Sequence, residues 1–244
     1  MRLEIASLAG LPDVEAGDDL AALIRDAAAL EGQPIDASVL VTIAQKVVSK
    51  AEGAIADLRE IRPSALACSW AAESGKDARL IELILSQSRR IVKMDRGVLI
   101  AEHKLGFVCA NAGVDQSNTA GDDFATVLPQ DPDASARRLR EGLGCGAVII
   151  TDTFGRPWRE GLVDVAIGVA GIEPLEDFRG SVDRRGRPLA ATIIAVADQL
   201  AAAAGLLMRK PDGYPVVLIR GFTWLPAEGS VRPLIRRPEQ DLFR

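Results

Sequence analysis

Two aspartates, each directly after an apolar run, have the setting that a metal ligand needs. Asp115 follows Gly113 and a valine in the stretch ANAGVDQSN, and Asp152 follows the run VIIT and precedes Thr153. Glycine lets the backbone turn sharply at the end of a strand, so an acid placed there points into a crevice. Magnesium and manganese commonly bind one or two carboxylates together with phosphate oxygens and water. The alternative is that both aspartates cap turns through their side chains, and spacing alone favours this more common role.

The stretch QKVVSKAEG contains a candidate for contact with a phosphate group. Lys50 stands beside a small-residue turn, where its ammonium group could act as a point charge, and Lys46 lies four residues earlier. The alternative is a surface lysine, since lysine is nearly always exposed. The sequence contains no GxxxxGK[ST] motif, so any nucleotide is held by other means than a P-loop.

The stretch RPWREG places two arginines and a tryptophan just after Asp152. The guanidinium groups of Arg156 and Arg159 have the fork geometry that matches a carboxylate or a phosphate. The alternative is a loop with Trp158 anchored in the core and the arginines in solvent. The proximity to a candidate metal ligand favours an anion site.

The composition favours a globular domain over a nucleic-acid or membrane protein. The chain has 244 residues, of which 48% are hydrophobic, and a net charge of −5; this length suits one large domain or two small ones. It has no long basic run, no apolar run that could span a bilayer and no signal-peptide pattern near its N-terminus, so we expect neither nucleic-acid nor membrane binding. Three cysteines without a CxxC pair favour a reducing cytoplasm. The single histidine, His103, is interpreted as a hairpin residue rather than as a base for Cys109, so we interpret Cys109 as a core residue and not a nucleophile.

Helical and strand patterns mix without a regular βαβ rhythm, which predicts mixed α and β rather than a doubly wound sheet. The predicted strands cover 2–8, 39–44 with a possible continuation to 48, a hairpin in GVLIAEHKLGFVCANAGV that turns near His103, AVIITDT and YPVVLIRGF. The apolar, glycine-rich stretch DVAIGVAGI is either a strand or a tightly packed segment, and LAATIIAVADQLAAAAGLL begins with β-branched residues. The predicted helices cover 20–30 with Asp18 or Asp19 as N-cap, 64–74, 76–90, a helix in DPDASARRLREGL that starts at Asp131 or Asp133, and the alanine-rich end of LAATIIAVADQLAAAAGLL.

A resemblance to a known family spans nearly the whole chain. It is carried, in chain order, by QKVVSKAEG, LGFVCANAGVDQSN, LPQDPDASARRLREGL, ITDTFGRPWREG with DVAIGVAGI, and AVADQLAAAAGLLM. Together these segments resemble the coenzyme F-420-0:L-glutamate ligase family, the γ-glutamyl ligases of deazaflavin cofactor biosynthesis. The pair GVDQSN and ITDTFGRPWREG is highly specific, whereas the alanine-rich helix is not.

The resemblance implies a set of site residues and cofactors. Members use GTP as co-substrate, Mn²⁺ or Mg²⁺, and often K⁺. It implies that Asp115 and Asp152 bind metal, with Thr153 at a second metal. The implied nucleotide-binding residues are Leu11, Pro12, Asp13, Val14, Gln45, Lys50, Asn118, Met208, Lys210 and Gly213. Many members carry a metal-binding glutamine in the late loop, where this chain has Lys210, which would neutralise phosphate instead.

The implied reaction is the addition of L-glutamate to coenzyme F-420-0 through a γ-linked chain. GTP first phosphorylates a carboxylate of the precursor, because a free carboxylate has a poor leaving group, and the glutamate amine then attacks the acyl phosphate. Such phosphoryl transfer needs mainly positioning and charge neutralisation, so a His or Cys nucleophile is not required. From local chemistry, Arg156 and Arg159 are the candidates that hold a carboxylate or phosphate.

The resemblance also implies a fold and an assembly. The family has a two-domain α+β arrangement with the active site in a cleft, and it forms an intertwined homodimer through β-strands. We expect residues 1–244 to form one such module of two subdomains, without the C-terminal flavin-binding domain of some relatives. Two alternatives stay open: a GTP-dependent ligase of the same fold that acts on another carboxylate, and a nucleotide-binding protein that has lost catalysis.

Overall fold

Helices and short sheets alternate irregularly along the chain, which confirms the predicted mixed α and β fold. The computed structural model describes residues 2–117, 121–209 and 213–241. Its strands are β1 Glu4–Ser7, β2 Leu40–Ala44, β3 Ile55–Asp57, β4 Ser88–Asp95, β5 Val98–His103, β6 Val108–Ala110, β7 Phe124–Thr126, β8 Ala147–Arg156, β9 Arg159–Ala170, β10 Glu176–Asp177, β11 Ile193–Ile194 and β12 Val216–Arg220. Its α-helices are α1 Leu20–Leu30, α2 Gln45–Ala51, α3 Ala65–Ser74, α4 Ala78–Gln87, α5 Pro132–Leu143 and α6 Val196–Gly205. Within the described ranges, no helix has both the length and the apolar character needed to cross a membrane.

The largest sheet has five strands in the order β1-β12-β2-β8-β9. Strands β2 and β8 run parallel, with Ala44 at the carboxyl end of β2 opposite Thr151 in the middle of β8, and the other neighbouring pairs are antiparallel. Most residues of β2 and β12 and the first half of β8 are buried whichever face they point to. A strand covered on both faces needs apolar residues at every position, which explains why these segments are continuous apolar runs.

Alternate residues of this sheet pack into two different cores, because successive side chains of a strand point to opposite faces. On one face, Val41 and Ile43 pack with apolar residues of α1 and α5. On the other face, Leu40 and Ile149 pack with the apolar side of α6. The sheet is therefore the central layer between helices.

A third core is built from one continuous part of the chain. Its buried residues fall between Leu58 and Ala125, and they come mainly from α3, α4, β5 and the turn before Asp115. A three-stranded sheet, β4-β5-β6, and the pair β3-β7 belong to the same part of the chain. This region supplies Asp115, whereas Asp152 comes from the large sheet.

Two of the predicted helix caps are confirmed. The carboxylate of Asp19 accepts a hydrogen bond from the amide of Ala22 at the start of α1, and that of Asp131 accepts one from Ala134 at the start of α5. Asp133 has a different partner set: its carboxylate accepts from the amides of Val169 and Val231. It thereby joins α5, β9 and the C-terminal segment.

The predicted continuation of β2 to residue 48 is wrong, because the chain enters helix α2 at Gln45. Within α2, Val48 is buried, and Val47 and Ala51 pack against the same core, a spacing that a helix satisfies. The Gln45 amide also donates to Ser49 Oγ one turn later. Tertiary packing outweighs the strand preference of two adjacent valines.

The predicted helix 76–90 ends earlier, at Gln87, and the chain continues directly as strand β4. Ile91 of β4 pairs with Ala101 of β5 and packs against the third core. The predicted hairpin near His103 is confirmed, since β5 pairs antiparallel with β6. Strand β4 adds a third strand to that hairpin.

Candidate active site

A cleft of about 910 Å³ opens where the parallel pairing of β2 with β8 ends. In sheets that contain parallel strands, ligands usually bind beyond the carboxyl ends of those strands. Gln45 and Asp152 follow the paired residues Ala44 and Thr151. The chain leaves the sheet at Gln45, whereas Asp152 stays in β8 and pairs with Val165 of β9. The predicted site residues that line the cleft are Leu11, Pro12, Asp13, Val14, Gln45, Lys50, Asp115, Asp152, Met208 and Gly213. Segments far apart in sequence thus meet at one site.

Three predicted site residues are absent from the described lining of the cleft. Thr153 lies next to Asp152, but its hydroxyl donates to Asp164 Oδ1 at 3.0 Å. Arg156 and Arg159 are exposed at the tip of the β8–β9 hairpin, where Arg156 donates to the backbone oxygen of Glu160. Two further predicted residues, Asn118 and Lys210, lie outside the described residues.

In the alternative interpretation of RPWREG, the placement of the tryptophan in the core is wrong, whereas the two arginines are exposed as that alternative predicted. Residues of this stretch close the hairpin between β8 and β9, and Trp158 is 79% exposed at its tip. Trp158 has φ +57°, in the left-handed region that a tight turn requires. The hairpin projects beyond the buried part of the large sheet.

A strained turn fixes the backbone of Asp115. Asn111, Ala112 and Gly113 all have positive φ, from 49° to 71°, and the Val114 amide donates to the Asn111 oxygen at 2.9 Å. Non-glycine residues rarely adopt this region, and such strain persists only where the surroundings enforce it. Asp115 then exchanges two backbone hydrogen bonds with Thr126 of β7. The orientation of its side chain toward the cleft is therefore set by the backbone on both sides.

The Asp115 carboxylate binds neighbours of two kinds. Its Oδ1 accepts a hydrogen bond from the Ser117 amide at 2.7 Å, and its Oδ2 accepts one from the Ser117 hydroxyl at 3.0 Å. Oδ2 also lies 2.9 Å from the ammonium nitrogen of Lys46. Burial acts to raise the pKa of Asp115 and is the largest influence, but the Ser117 amide, Lys46 and the Ser117 hydroxyl together outweigh it and lower the pKa. The group is therefore ionised at neutral pH.

Asp152 begins the exposed half of β8, where the large sheet meets the cleft. Its Oδ1 accepts a hydrogen bond from the Thr153 amide at 2.8 Å. Burial, and secondly the negative charge of Asp152, raise the pKa of the Cys109 thiol to about 12. Such a thiol carries almost no thiolate at neutral pH, which confirms that Cys109 is a core residue rather than a nucleophile.

Gln45 lines the cleft, although its amide group is used by the interior. The residue is 3% exposed, and its Nε2 donates to Ser49 Oγ and to the Val127 oxygen. Ser49 donates to the same Val127 oxygen. These bonds attach α2 to the segment that follows β7, so the amide stabilises the wall of the cleft.

Other lining residues were not among those predicted from the sequence. They are Glu15, Ala16, Ala44, Lys46, Val47, Ile55, Phe124, Thr126, Thr151, Arg209, Tyr214 and Pro215. The spacing of Lys46 and Lys50 on one helix face was a usable signal, because residues four apart lie on the same side of a helix. The other residues carry no local pattern that separates them from ordinary loop and strand residues.

The acidic residues of the cleft fit a divalent ion that brings further ligands with it. In the part of the chain that the structure describes, no three side chains of Asp, Glu, His or Cys meet closely enough to hold a metal on their own. Mg²⁺ and Mn²⁺ commonly need only one or two carboxylates when phosphate oxygens and water complete the shell. Asp115 and Asp152, which line the same cleft, satisfy that requirement.

Comparison with known proteins assigns the chain to a family. The family model for F420-0:Gamma-glutamyl ligase matches residues 10–221. The coenzyme F420:L-glutamate ligase of Methanothermobacter thermautotrophicus is 48% identical, with 100% of both chains covered. The enzyme of the same name from Methanopyrus kandleri is also 48% identical, over 95% of this chain and 93% of the relative, and that of Methanocaldococcus jannaschii is 43% identical over 86% of each. The chain therefore belongs to the F420-0:gamma-glutamyl ligase family.

Proposed function

We propose that the protein is a ligase that adds L-glutamate to coenzyme F-420-0 through a γ-linked chain, with GTP as co-substrate. The observation that carries the proposal is the cleft itself. It brings together Asp115, Asp152, Lys50 and the segment Leu11–Val14 where the parallel pairing of β2 with β8 ends. Family membership adds the substrate class, because the relatives are coenzyme F420:L-glutamate ligases.

The proposed reaction has two steps. A carboxylate oxygen of the precursor attacks the γ-phosphorus of GTP, the bond to the bridging oxygen breaks, and GDP leaves. The α-amine of glutamate then attacks the acyl carbon of the acyl phosphate, inorganic phosphate leaves, and the nitrogen loses a proton as the amide forms. Both steps depend on holding anions close together and in line.

The charges of the cleft suit this task. Its described lining includes four carboxylates, Asp13, Glu15, Asp115 and Asp152, and three cations, Lys46, Lys50 and Arg209. A nucleotide triphosphate adds several negative charges, so this lining alone does not neutralise it. In the proposal Asp115 and Asp152 hold Mn²⁺ or Mg²⁺, with Thr153 at a second ion and K⁺ as a further cation. When bound, the divalent ions supply charge neutralisation for the transferring phosphoryl group.

The proposal includes a homodimer formed through the β8–β9 hairpin. This hairpin carries exposed apolar side chains, with Trp158 at 79% and Leu162 at 64% exposure. Large apolar groups grouped on a projecting hairpin are typical of an interaction surface. In such a dimer, Arg156 and Arg159 would bind anions at the interface rather than in their own cleft. The third core, between Leu58 and Ala125, is the proposed second subdomain.

We also propose that the enzyme works in the cytoplasm without binding nucleic acid or membranes. Cys68, Cys109 and Cys145 are all free thiols in the structure, as a reducing compartment would keep them. The net charge of −5 disfavours a nucleic-acid partner.

Mass spectrometry of a complete reaction tests the proposed function. The protein is incubated with F-420-0, GTP, L-glutamate and Mn²⁺, and each component is omitted in turn. A product heavier by one or more glutamyl units, absent without GTP or Mn²⁺, supports the proposal and gives the number of glutamates added. GTP turnover only with a different carboxylate would favour a ligase for another acceptor, and nucleotide binding without any turnover would favour a non-catalytic protein.

A further inference from the structure

The ammonium group of Lys46 is held by the segment that carries Asp115. Its nitrogen lies 2.9 Å from Asp115 Oδ2, donates to the backbone oxygen of Ser117 at 2.9 Å, and donates to the Ser117 hydroxyl oxygen. An ammonium group has three N–H donors, so these acceptors use all of them. The Lys46 side chain is 19% exposed, which places it in the wall of the cleft rather than in bulk solvent.

The oxygen of Asp115 that faces Lys46 is fully used. Oδ2 accepts from both the Lys46 ammonium and the Ser117 hydroxyl, and a carboxylate oxygen offers about two acceptor positions. The Asp115 side chain is nevertheless 40% exposed, so a hydrated cation can approach it from the cleft. A divalent ion at this carboxylate and the lysine ammonium would be like charges a few ångströms apart, and they repel.

We propose that Lys46 is a resident counter-ion of Asp115 that competes with a divalent metal ion for this carboxylate. The inference rests on the proposed function, in which Asp115 is a metal ligand. It adds that Lys46 keeps metal binding weak when nucleotide is not bound. Metal loading is coupled to a move of the lysine away from Oδ2.

The position of Lys46 indicates where the ammonium group goes when metal binds. Lys46 and Lys50 lie one turn apart on helix α2, and both line the cleft. Phosphate oxygens in the cleft are suitable acceptors for a displaced ammonium group. Nucleotide would therefore stabilise the arrangement in which Asp115 is available to metal, and by linkage metal would tighten nucleotide binding by the same factor.

A simpler role for Lys46 makes the opposite prediction. If its hydrogen bonds only hold Asp115 and Ser117 in place, their loss disorders a metal ligand and weakens metal binding. If it competes with metal, its loss strengthens metal binding. The sign of the change in Mn²⁺ affinity therefore separates the two roles.

The test is a Mn²⁺ titration of the whole chain without nucleotide, with free Mn²⁺ measured by electron paramagnetic resonance. Lys46→Met should bind Mn²⁺ about tenfold more tightly than the wild type, within the usual range of coupling between sites. Lys46→Arg keeps the positive charge, so its Mn²⁺ affinity should stay as low as that of the wild type. Lys50→Met is the matched control, because it removes the same charge from the same helix face and should give a clearly smaller gain. Circular dichroism checks that each variant is folded.

A double variant shows whether the effect acts through Asp115. In an Asp115→Asn background, Lys46→Met should give no gain in Mn²⁺ affinity. Four outcomes would each overturn the inference. Lys46→Met could bind Mn²⁺ no more tightly than the wild type, or Lys50→Met could show an equal gain in affinity. The gain of Lys46→Met could persist in the Asp115→Asn background, or no variant could bind Mn²⁺ at all. The mass-spectrometric assay tests the proposed function separately. If glutamyl product forms but Lys46→Met does not raise the Mn²⁺ affinity, only the counter-ion role of Lys46 is refuted. If the Mn²⁺ affinity rises but no product forms, only the proposed ligase activity is refuted.

Discussion

Gly113 lies so close to Leu128 that a Cβ on the glycine would sit 2.7 Å from Leu128 Cγ. The same glycine has φ +71° and closes the left-handed turn that leads to Asp115. Leu128 belongs to the core on one face of the large sheet. The contact therefore ties the backbone of the proposed metal ligand to that core.

Gly113→Ala is expected to lower the free energy of unfolding by about 2–4 kcal/mol, from the cost of positive φ and the overpacking against Leu128. Urea denaturation followed by circular dichroism measures the loss. Gly75→Ala is the matched control, because Gly75 also has φ +71° but nothing within 4 Å of the added Cβ. It should lose only about 1–2 kcal/mol. Equal losses would mean that Leu128 can move aside freely.

Asp115→Asn is expected to abolish glutamyl transfer while the fold is kept. The amide oxygen can still accept from the Ser117 amide, but the negative charge that faces Lys46 and the cleft is gone. We expect product formation to fall by at least about 10²-fold, the scale of losing a charge-stabilising group at a reacting centre. Mass spectrometry of the product and a thermal melt give the two readouts. Asp122→Asn changes an exposed aspartate outside the described lining of the cleft and should retain activity. Wild-type turnover by Asp115→Asn would exclude a metal role for Asp115.

His103 should make stability depend on pH. Burial, and secondly the charge of Lys104, lower the pKa of His103 to about 4, and its Nδ1 accepts a hydrogen bond from the Leu105 amide. In the unfolded chain the pKa is near its ordinary value, so between about pH 6.5 and 4 the unfolded state binds more protons and stability falls as pH falls. The loss is at most about 3 kcal/mol. The free energy of unfolding, measured by denaturation at several pH values in this range, should fall more steeply with decreasing pH for the wild type than for His103→Gln, which cannot titrate. An equal dependence on pH in both proteins would contradict the assignment.

Leu162→Glu should convert the proposed dimer to a monomer. Leu162 is 64% exposed on the projecting hairpin, and a buried glutamate at an apolar interface is costly. Sedimentation velocity compares this variant with Leu30→Glu, whose leucine is 85% exposed at the end of α1 and away from the hairpin. Only Leu162→Glu should sediment as a monomer. A wild type that is already monomeric would remove the dimer from the proposal.

Much of the fold could be predicted because its local signals agree with its packing. The continuous apolar runs of β2 and β12 match strands that are covered on both faces, and Asp19 and Asp131 have the cap chemistry that begins a helix. The errors fell where local preference and packing disagree. Helix α2 contains two adjacent valines that favour a strand, yet its helical face fits the core.

The candidate site was only partly predictable. Asp115 and Asp152 could be found because each follows an apolar run, and their roles came from the family resemblance. The bonds between Lys46 and Ser117 join residues 71 positions apart, and no local pattern encodes such a contact. The exposure of Trp158 was equally hidden, since an aromatic residue in a short turn can face either the core or solvent.

The place of β12 between β1 and β2 has a consequence for synthesis on the ribosome. β12 pairs with β1 at Glu4 and with β2 at Leu40. The two strands that are synthesised first therefore lack this shared partner until β12 has been synthesised near the end of translation. The buried residues of the third core all lie between Leu58 and Ala125, and Val127 packs against them, so this core can close much earlier. A nascent chain stalled within β9 should therefore protect the segment from Leu58 to Ala125 against limited proteolysis, while β2 still exposes the edge that β12 later covers.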